Sequence, residues 1–430
     1  MPSFLRGADA FIWSVGADPR LRPTIVTLTV LDRCPDWAVL VERFQALSAA
    51  VPAFRRCVAP SPGPLPPRWR DDPDFDIAFH VRRVAAPHPH NLDTVVDMAR
   101  LAAMSDFDLA HPLWEVVLVE GLDDGKAALL CKLHHALADG TGAVAMATHL
   151  FDHSAVRRPD RAGAHGDRPP GPRPHPLLPE TLRALTGPWA LGASLMRTVL
   201  TTGGPRSPIM RTRSTSRCLA VYRLPEAALR AAGHAAGGSL NDAFLAAITD
   251  ALHRYHDRHG SRLEKALLMM PISIRGPADP AGGNRTMLMR FDVPVGPGSV
   301  ADRIREIHRR THRVRAERAV THAPLVATAL SVTPHGYVSS ALRTVDFIAS
   351  DVPGIPTPVT LAGARVDMQY AFSPTLGAAF NVTLLTYAGE CGIGVNVDTA
   401  AVPDIDVFFE CVAAGFDRVR DFAGQAAAGR

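Results

Sequence analysis

Apolar and polar positions change their period several times along the chain. From Arg22 to Leu31 the run RPTIVTLTVL is rich in β-branched residues and partly alternates, which predicts a strand. Pro35 and Asp36 then mark a helix start, and Trp37, Leu40, Val41, Phe44 and Leu47 recur at helical spacing, so one face of that helix is expected to pack on a sheet. WEVVLVEGL, the turn at Asp123 to Gly125 and KAALLCKL read as a β-hairpin that leads into the segment starting at His134.

Past Asp152 the pattern gives way to RRPDRAGAHGDRPPGPRPHP, too rich in Pro, Gly and Arg to build a core, and this is the expected linker. A moderately apolar helical stretch follows from about Glu180 to Leu200, with Thr181 as a capping-type residue; it rests either on the protein or at a membrane interface. The second half restarts with a strand at CLAVYRL, a helix at PEAALRAAGHAA and a helix at SLNDAFLAAITDALHRYH, whose Phe244, Leu245, Ile248 and Leu252 share a face. LLMMPISI, MLMRFDVPV, VDFIAS, FNVTLLTY and CGIGVNV are short, β-rich and separated by Gly or Pro, and together predict a mixed sheet. Three stretches result: 1–152, a linker and crossover helix over 153–214, and a second α/β unit over 215–430.

Length agrees with this division, since 430 residues exceed what one hydrophobic core usually serves. With 47% hydrophobic and 20% charged residues the chain is globular, and a formal charge of +4 gives no reason to expect a nucleic-acid partner. Arginine supplies nearly all the positive charge, lysine occurring only at Lys126, Lys132 and Lys265. An Arg-rich helix is expected from Asp302 to Val320, with Ile304, Ile307 and Val314 on its apolar stripe; it is either a solvated scaffold or a surface for anionic lipid or phosphate. Six cysteines without CxxC spacing predict neither a zinc site nor a disulfide framework. The N-terminal residues do not read as a secretory signal, and no apolar run reaches the roughly 18 residues needed to span a bilayer, so a cytoplasmic protein is expected, with peripheral contact to membranes or lipid bodies left open.

The segment that carries chemistry is His134, His135, Ala136, Leu137, Ala138, Asp139 and Gly140, between the strand KAALLCKL and a helical pattern at Ala143, Val144, Ala147, Leu150 and Phe151. A strand end is where active-site loops sit. A neutral imidazole, with a reference pKa of about 6.5, takes a proton from a hydroxyl and returns it to a leaving group near neutral pH. Adjacent histidines project differently, so one faces the reacting centre while the other is anchored. Asp139 would brace the loop, and Gly140 lets the backbone turn tightly. The alternatives are a structural histidine pair or a metal site, but His-His-x3-Asp is not a zinc spacing and no third ligand cluster stands out, so no metal is expected.

HHxxxDG here, with HPLWEVVLVEGL, SLNDAFLAA, PISIR and the later GGNR, SDVPGIPTPVTLAGARV, and FNVTLLTYAGECGIGVNVDTAAVPD in order over nearly the whole chain, resembles the bacterial wax ester synthase and diacylglycerol acyltransferase family. That family is a branch of the CoA-dependent acyltransferases that include chloramphenicol acetyltransferase and peptide-synthetase condensation domains. The resemblance implies an α/β (α+β) fold of two chloramphenicol-acetyltransferase-like subdomains, each a mixed β-sheet with flanking helices, with a tunnel between them. It implies His135 as the base, His134, Asp139 and Gly140 as the supporting loop, and Pro112, Leu113, Trp114, Asn241 and Asp242 at or near the site. For Trp114 the alternative is core packing, and for Asn241 a helix N-cap. Asn241, Ser273 or backbone N–H groups are the candidate oxyanion donors, and Arg275 of PISIR is the expected partner of Asp139. The chain departs from the family pattern at Asp351, where SNVPGP has an asparagine, and after Asp9, where IWSVGA lacks the usual glutamate.

The expected activity is direct transfer of an acyl group from acyl-CoA, as co-substrate rather than cofactor, to an alcohol such as diacylglycerol or a long-chain alcohol. The alternatives are a hydroxylated natural product as acceptor, a carrier-protein donor, or a lipid-body binding protein without catalysis. No GxSxG or comparable nucleophile motif is present, which favours direct transfer.

Overall fold

The computed structural model describes residues 3–5, 7–61, 66–137, 150–153, 204–273, 286–316, 342 and 344–428. Asp139, Gly140, Arg275, the GGNR block, most of the linker and the apolar stretch at 180–200 lie outside them.

In chain order the strands are β1 (Ser3–Phe4), β2 (Thr24–Leu31), β3 (Arg56–Ala59), β4 (Arg68–Asp71), β5 (Val81–Ala85), β6 (Trp114–Glu120), β7 (Ala127–His134), β8 (Asp152–His153), β9 (Arg217–Pro225), β10 (Lys265–Ser273), β11 (Thr286–Pro294), β12 (Phe347–Val352), β13 (Val359–Leu361), β14 (Ala364–Phe372), β15 (Phe380–Tyr387) and β16 (Glu390–Asp398). The α-helices are α1 (Gly7–Val15), α2 (Trp37–Ala50), α3 (Ile77–His80), α4 (Leu92–Met104), α5 (Glu226–Ala235), α6 (Leu240–Arg258), α7 (Val300–Ala316) and α8 (Ile405–Ala428).

The strands form two large mixed sheets and a small one. One large sheet has the order β5-β6-β7-β2-β14-β13-β8 and the other β11-β10-β12-β15-β16-β9. The hairpin expected before the histidine pair is present as antiparallel β6 and β7, and its turn takes Asp124 to φ 61°. Helix α2 begins where the sequence places it, because the Asp36 carboxylate accepts the N–H of Val39 at 3.0 Å, and Leu40, Phe44 and Leu47 are buried. Helix α6 starts two residues earlier than an Asn241 cap would allow. Ser239 is its N-cap, with Ser239 and Asp242 exchanging hydrogen bonds in a capping box, so Asn241 lies inside the first turn. Asp242 also accepts from His308 at 2.8 Å and from Thr311 at 3.0 Å, which ties α6 to α7.

The first sheet is not completed by the first stretch of chain. Strands β13 and β14 follow β12 of the second sheet and yet pair in the first, β14 running antiparallel to β2 with Thr27 opposite Ala371. Glycines of GIG on β16 make the crossing possible. A Cβ on Gly392 would stand 2.0 Å from the Gln369 carbonyl oxygen, and one on Gly394 2.2 Å from that of Ala371. The two sheets therefore touch backbone to backbone at this seam, beside the cavity that separates them elsewhere.

Candidate active site

Strand β7 delivers the histidine pair. Its register with β2 sets Leu133 opposite Ile25 and His134 opposite Thr24, and then the chain is held on both sides. His134 N–H donates to Leu113 O at 3.0 Å and His135 N–H to Pro23 O at 2.9 Å. Leu113 of the PLWE block thus acts through its carbonyl. The first ring turns into the protein, where His134 is 7% exposed and lies 5.4 Å from Trp13 and 6.0 Å from Phe107, ring centre to ring centre. Its Nδ1 accepts the N–H of Ala136 at 3.1 Å. Burial, with a smaller contribution from the neighbouring His135, pushes its pKa down to about 3, so His134 is neutral at physiological pH.

The second ring is half-buried and lines a cavity of about 190 Å³ between the two sheets. The floor is the face of β7, β2 and β14 that carries Leu133, Ile25, Cys131, Thr27, Leu129, Thr29 and Gln369; α2 adds Phe44 and Leu47, and the second sheet adds Ser350, Asp351, Thr383 and Leu385. Most of the wall is apolar. Polar groups concentrate where the sheets meet, where Thr383 donates to Ser373 Oγ at 2.9 Å with Ser350 on the adjoining strand. Burial drives the Cys131 thiol up to about 12, so it stays protonated in the cavity.

On the opposite face of the same strand, Lys132 is buried. Its Nζ donates to Glu115 at 3.1 Å, to Ser105 Oγ at 2.9 Å and to Asp106 O at 2.9 Å, and lies 4.2 Å from the centre of the Phe107 ring. Burial lowers its pKa, opposed by the charge of Glu115, which also pairs with Arg82. Among the described residues no group of three or more His, Cys, Asp or Glu is placed to hold a metal ion.

Comparison with known proteins decides the family. The wax ester synthase/diacylglycerol acyltransferase catalytic domain matches residues 5–182, and the C-terminal domain of the same proteins matches 282–420. A putative diacylglycerol O-acyltransferase of Mycobacterium tuberculosis is 33% identical over 446 aligned residues, covering 95% of this chain and 90% of the relative. The chain belongs to the wax ester synthase/diacylglycerol acyltransferase family. It is an acyltransferase of that type. The fold agrees: a wax ester synthase/diacylglycerol acyltransferase from Marinobacter aquaeolei superposes with a TM-score of 0.66 at 22% identity, covering 98% of this chain and 100% of that one. The first condensation domain of the calcium-dependent antibiotic synthetase superposes with a TM-score of 0.64 at 15% identity, covering 98% and 96%.

In this acyltransferase the residues expected at the site separate into groups. His135 reaches the cavity, while His134 supports the loop from behind. Trp114 lines the cavity but is also packed, its ring stacked on His80 at 4.4 Å and its Nε1 donating to Phe54 O at 2.9 Å. Asn241 is buried, is not part of the cavity wall, and directs its Nδ2 at the Met270 sulfur, 3.9 Å away. The backbone of Ser273 ends β10 opposite Thr286, and its side chain lies outside the described residues, as do Asp139, Gly140 and Arg275. Sequence reading missed Gln369, Ser373, Thr383 and Lys132. A signal existed for the last, since a lysine in the apolar strand LLCKLHH is one of only three in the chain.

Proposed function

We propose that this enzyme transfers an acyl group from acyl-CoA to an alcohol with His135 as general base. The observation that carries the reading is that His135 stands on the wall of a largely apolar cavity between the sheets while His134 is buried behind it. In this reading the His135 ring takes the proton of the acceptor hydroxyl, and the alkoxide oxygen attacks the thioester carbonyl carbon. The tetrahedral intermediate then breaks its carbon–sulfur bond, and the thiolate leaves with the proton held on His135. Cys131, the thiol in the cavity wall, has its pKa raised by burial, which supports direct transfer over a cysteine-bound intermediate.

Diacylglycerol or a long-chain alcohol is the acceptor this reading favours. Asp351 on the cavity wall supports a second reading, an acceptor with additional hydroxyl groups. The division at 152 and 215, with strands 359–372 lent to the first sheet, belongs to the same proposal, as does peripheral contact with lipid. No helix among the described residues is long and apolar enough to cross a membrane.

The test is release of free CoA thiol with a panel of acyl-CoA donors and alcohols. His135→Ala should lower turnover by about 100-fold to 10,000-fold with an unchanged circular dichroism spectrum. Near wild-type turnover in His135→Ala, or a loss found only on replacing His134, overturns the assignment.

A further inference from the structure

Gln369 stands in the cavity because β14 is irregular. Val366 lies opposite Leu31, but the next paired residue, opposite Val30, is Met368 rather than Asp367. Asp367 is an extra residue, and such a bulge reverses which side chains face which way beyond it. Without it Met368 would stand opposite Thr29 and line the cavity. With it Met368 packs with Val26, Leu28 and Leu130, and the amide of Gln369 faces the cavity instead. The backbone there has no slack, because Gly392 of β16 abuts the Gln369 carbonyl.

Gln369 is 9% exposed as a residue, and its side-chain amide donates from Nε2 to Thr29 Oγ1 at 3.4 Å. It makes no other hydrogen bond among the described residues, so one N–H and the carbonyl oxygen remain available toward a cavity that Leu129, Phe44 and Phe151 also line. Burying an amide with unused capacity is unfavourable unless something in the cavity meets it. A neutral group that donates and accepts suits a hydroxyl or a carbonyl oxygen and does not select for an ion.

Register supplies the distance. Leu133–Ile25, Cys131–Thr27 and Leu129–Thr29 descend from His135 in steps of two residues. At about 3.4 Å per residue the Thr29–Gln369 pair lies roughly 20 Å along the strand axis from His135.

We infer that Gln369 is a specificity-determining residue that takes a neutral oxygen function on the chain of one substrate, set well back from the reacting group. This rests on the reading that His135 marks the reacting end of the cavity. A plain alkyl chain of that length runs past an unmet amide; one with a hydroxyl or keto oxygen at the right carbon meets it.

The experiment compares kcat/KM for the full-length enzyme in two arms. One arm uses hexadecanoyl-CoA and donors with a single hydroxyl at successive carbons; the other uses hexadecanol and the matching diols, so that the arms distinguish donor from acceptor. Wild type is expected to favour one hydroxylated position over the plain chain by about 10-fold in one arm. Gln369→Leu should remove that preference, chiefly through KM, and Thr29→Val should weaken it. A wild type that favours no hydroxylated chain in either arm overturns the inference, as does a preference that survives both variants. His135→Ala runs in parallel: activity remaining in that variant refutes the reaction reading, whereas an inactive His135→Ala beside an unaltered preference in Gln369→Leu refutes only the role of Gln369.

Discussion

The N–H of Ala136 donates to Nδ1 of His134 at 3.1 Å, which occupies the acceptor nitrogen of the first histidine inside its own loop while the second histidine faces the cavity. Which of the two rings faces the cavity is therefore set by backbone geometry.

A pH dependence of stability follows from it. The folded pKa of His134 is about 3, below the value of about 6.5 expected unfolded, so between these values the unfolded chain binds more protons than the folded one. Stability attributable to this residue is complete above that window and is lost as pH falls through it, with a slope of up to about 1.4 kcal/mol per pH unit. Urea denaturation between pH 5 and pH 7 should show a flatter dependence in His134→Asn than in wild type. Parallel curves would place the proton uptake elsewhere, His80 and His256 being the other histidines among the described residues whose pKa burial lowers.

The Lys132–Glu115 pair is asymmetric, and its two halves should respond differently. Glu115→Leu takes from the buried Lys132 ammonium its hydrogen-bonded carboxylate, leaving Ser105 Oγ, the Asp106 carbonyl and the Phe107 ring around it, and should cost about 3 kcal/mol. Lys132→Met leaves Glu115 its Arg82 partner and more access to water, and should cost less. Denaturation midpoints of the two variants check the order; equal losses would mean that lost packing, not an unpaired charge, sets the cost.

Helix α7 buries one face and carries arginines on the rest. Ile304, Ile307 and Val314 are buried, and Arg303 reaches the carbonyls of Pro294, Val295 and Gly296. Arg305 pairs with Asp302, and both Arg309 and Arg310 pair with Glu306. Much of the helix's positive charge is thus answered within the helix. Arg309→Glu with Arg313→Glu should leave binding to anionic vesicles and the KM for acyl-CoA within about twofold of wild type, because exposed pairs contribute little. A salt-dependent loss of vesicle binding would make α7 a lipid-facing surface.

Much of this was legible in the sequence because it was local. Strand β2, helix α2, the β6–β7 hairpin and the apolar face of α6 each carry their own periodicity, and the histidine pair follows a strand that is apolar apart from Lys132. What the sequence did not disclose depends on pairings between distant segments. That ARVDMQYAF joins the sheet of β2 rather than that of its neighbours, and that Asp367 is an extra residue which brings Gln369 to face Thr29, is set by register across the molecule. Trp114 shows the middle case: its core packing and its place on the cavity wall are both real, and a motif alone does not separate them.

The pairing of β2 with β14 also bears on how the chain is made. Thr29 and Gln369 are 340 residues apart, so at ribosomal rates β2 has one edge and the future cavity floor uncovered for roughly tens of seconds before its partner is synthesised. During that time the nascent first half carries an open apolar sheet edge, the kind of surface that chaperones bind and that recruits other strands when they do not. Cutting the gene at the Pro- and Arg-rich linker would make that condition permanent: the fragment would hold both histidines and still lack the strand that completes the cavity floor beside β2.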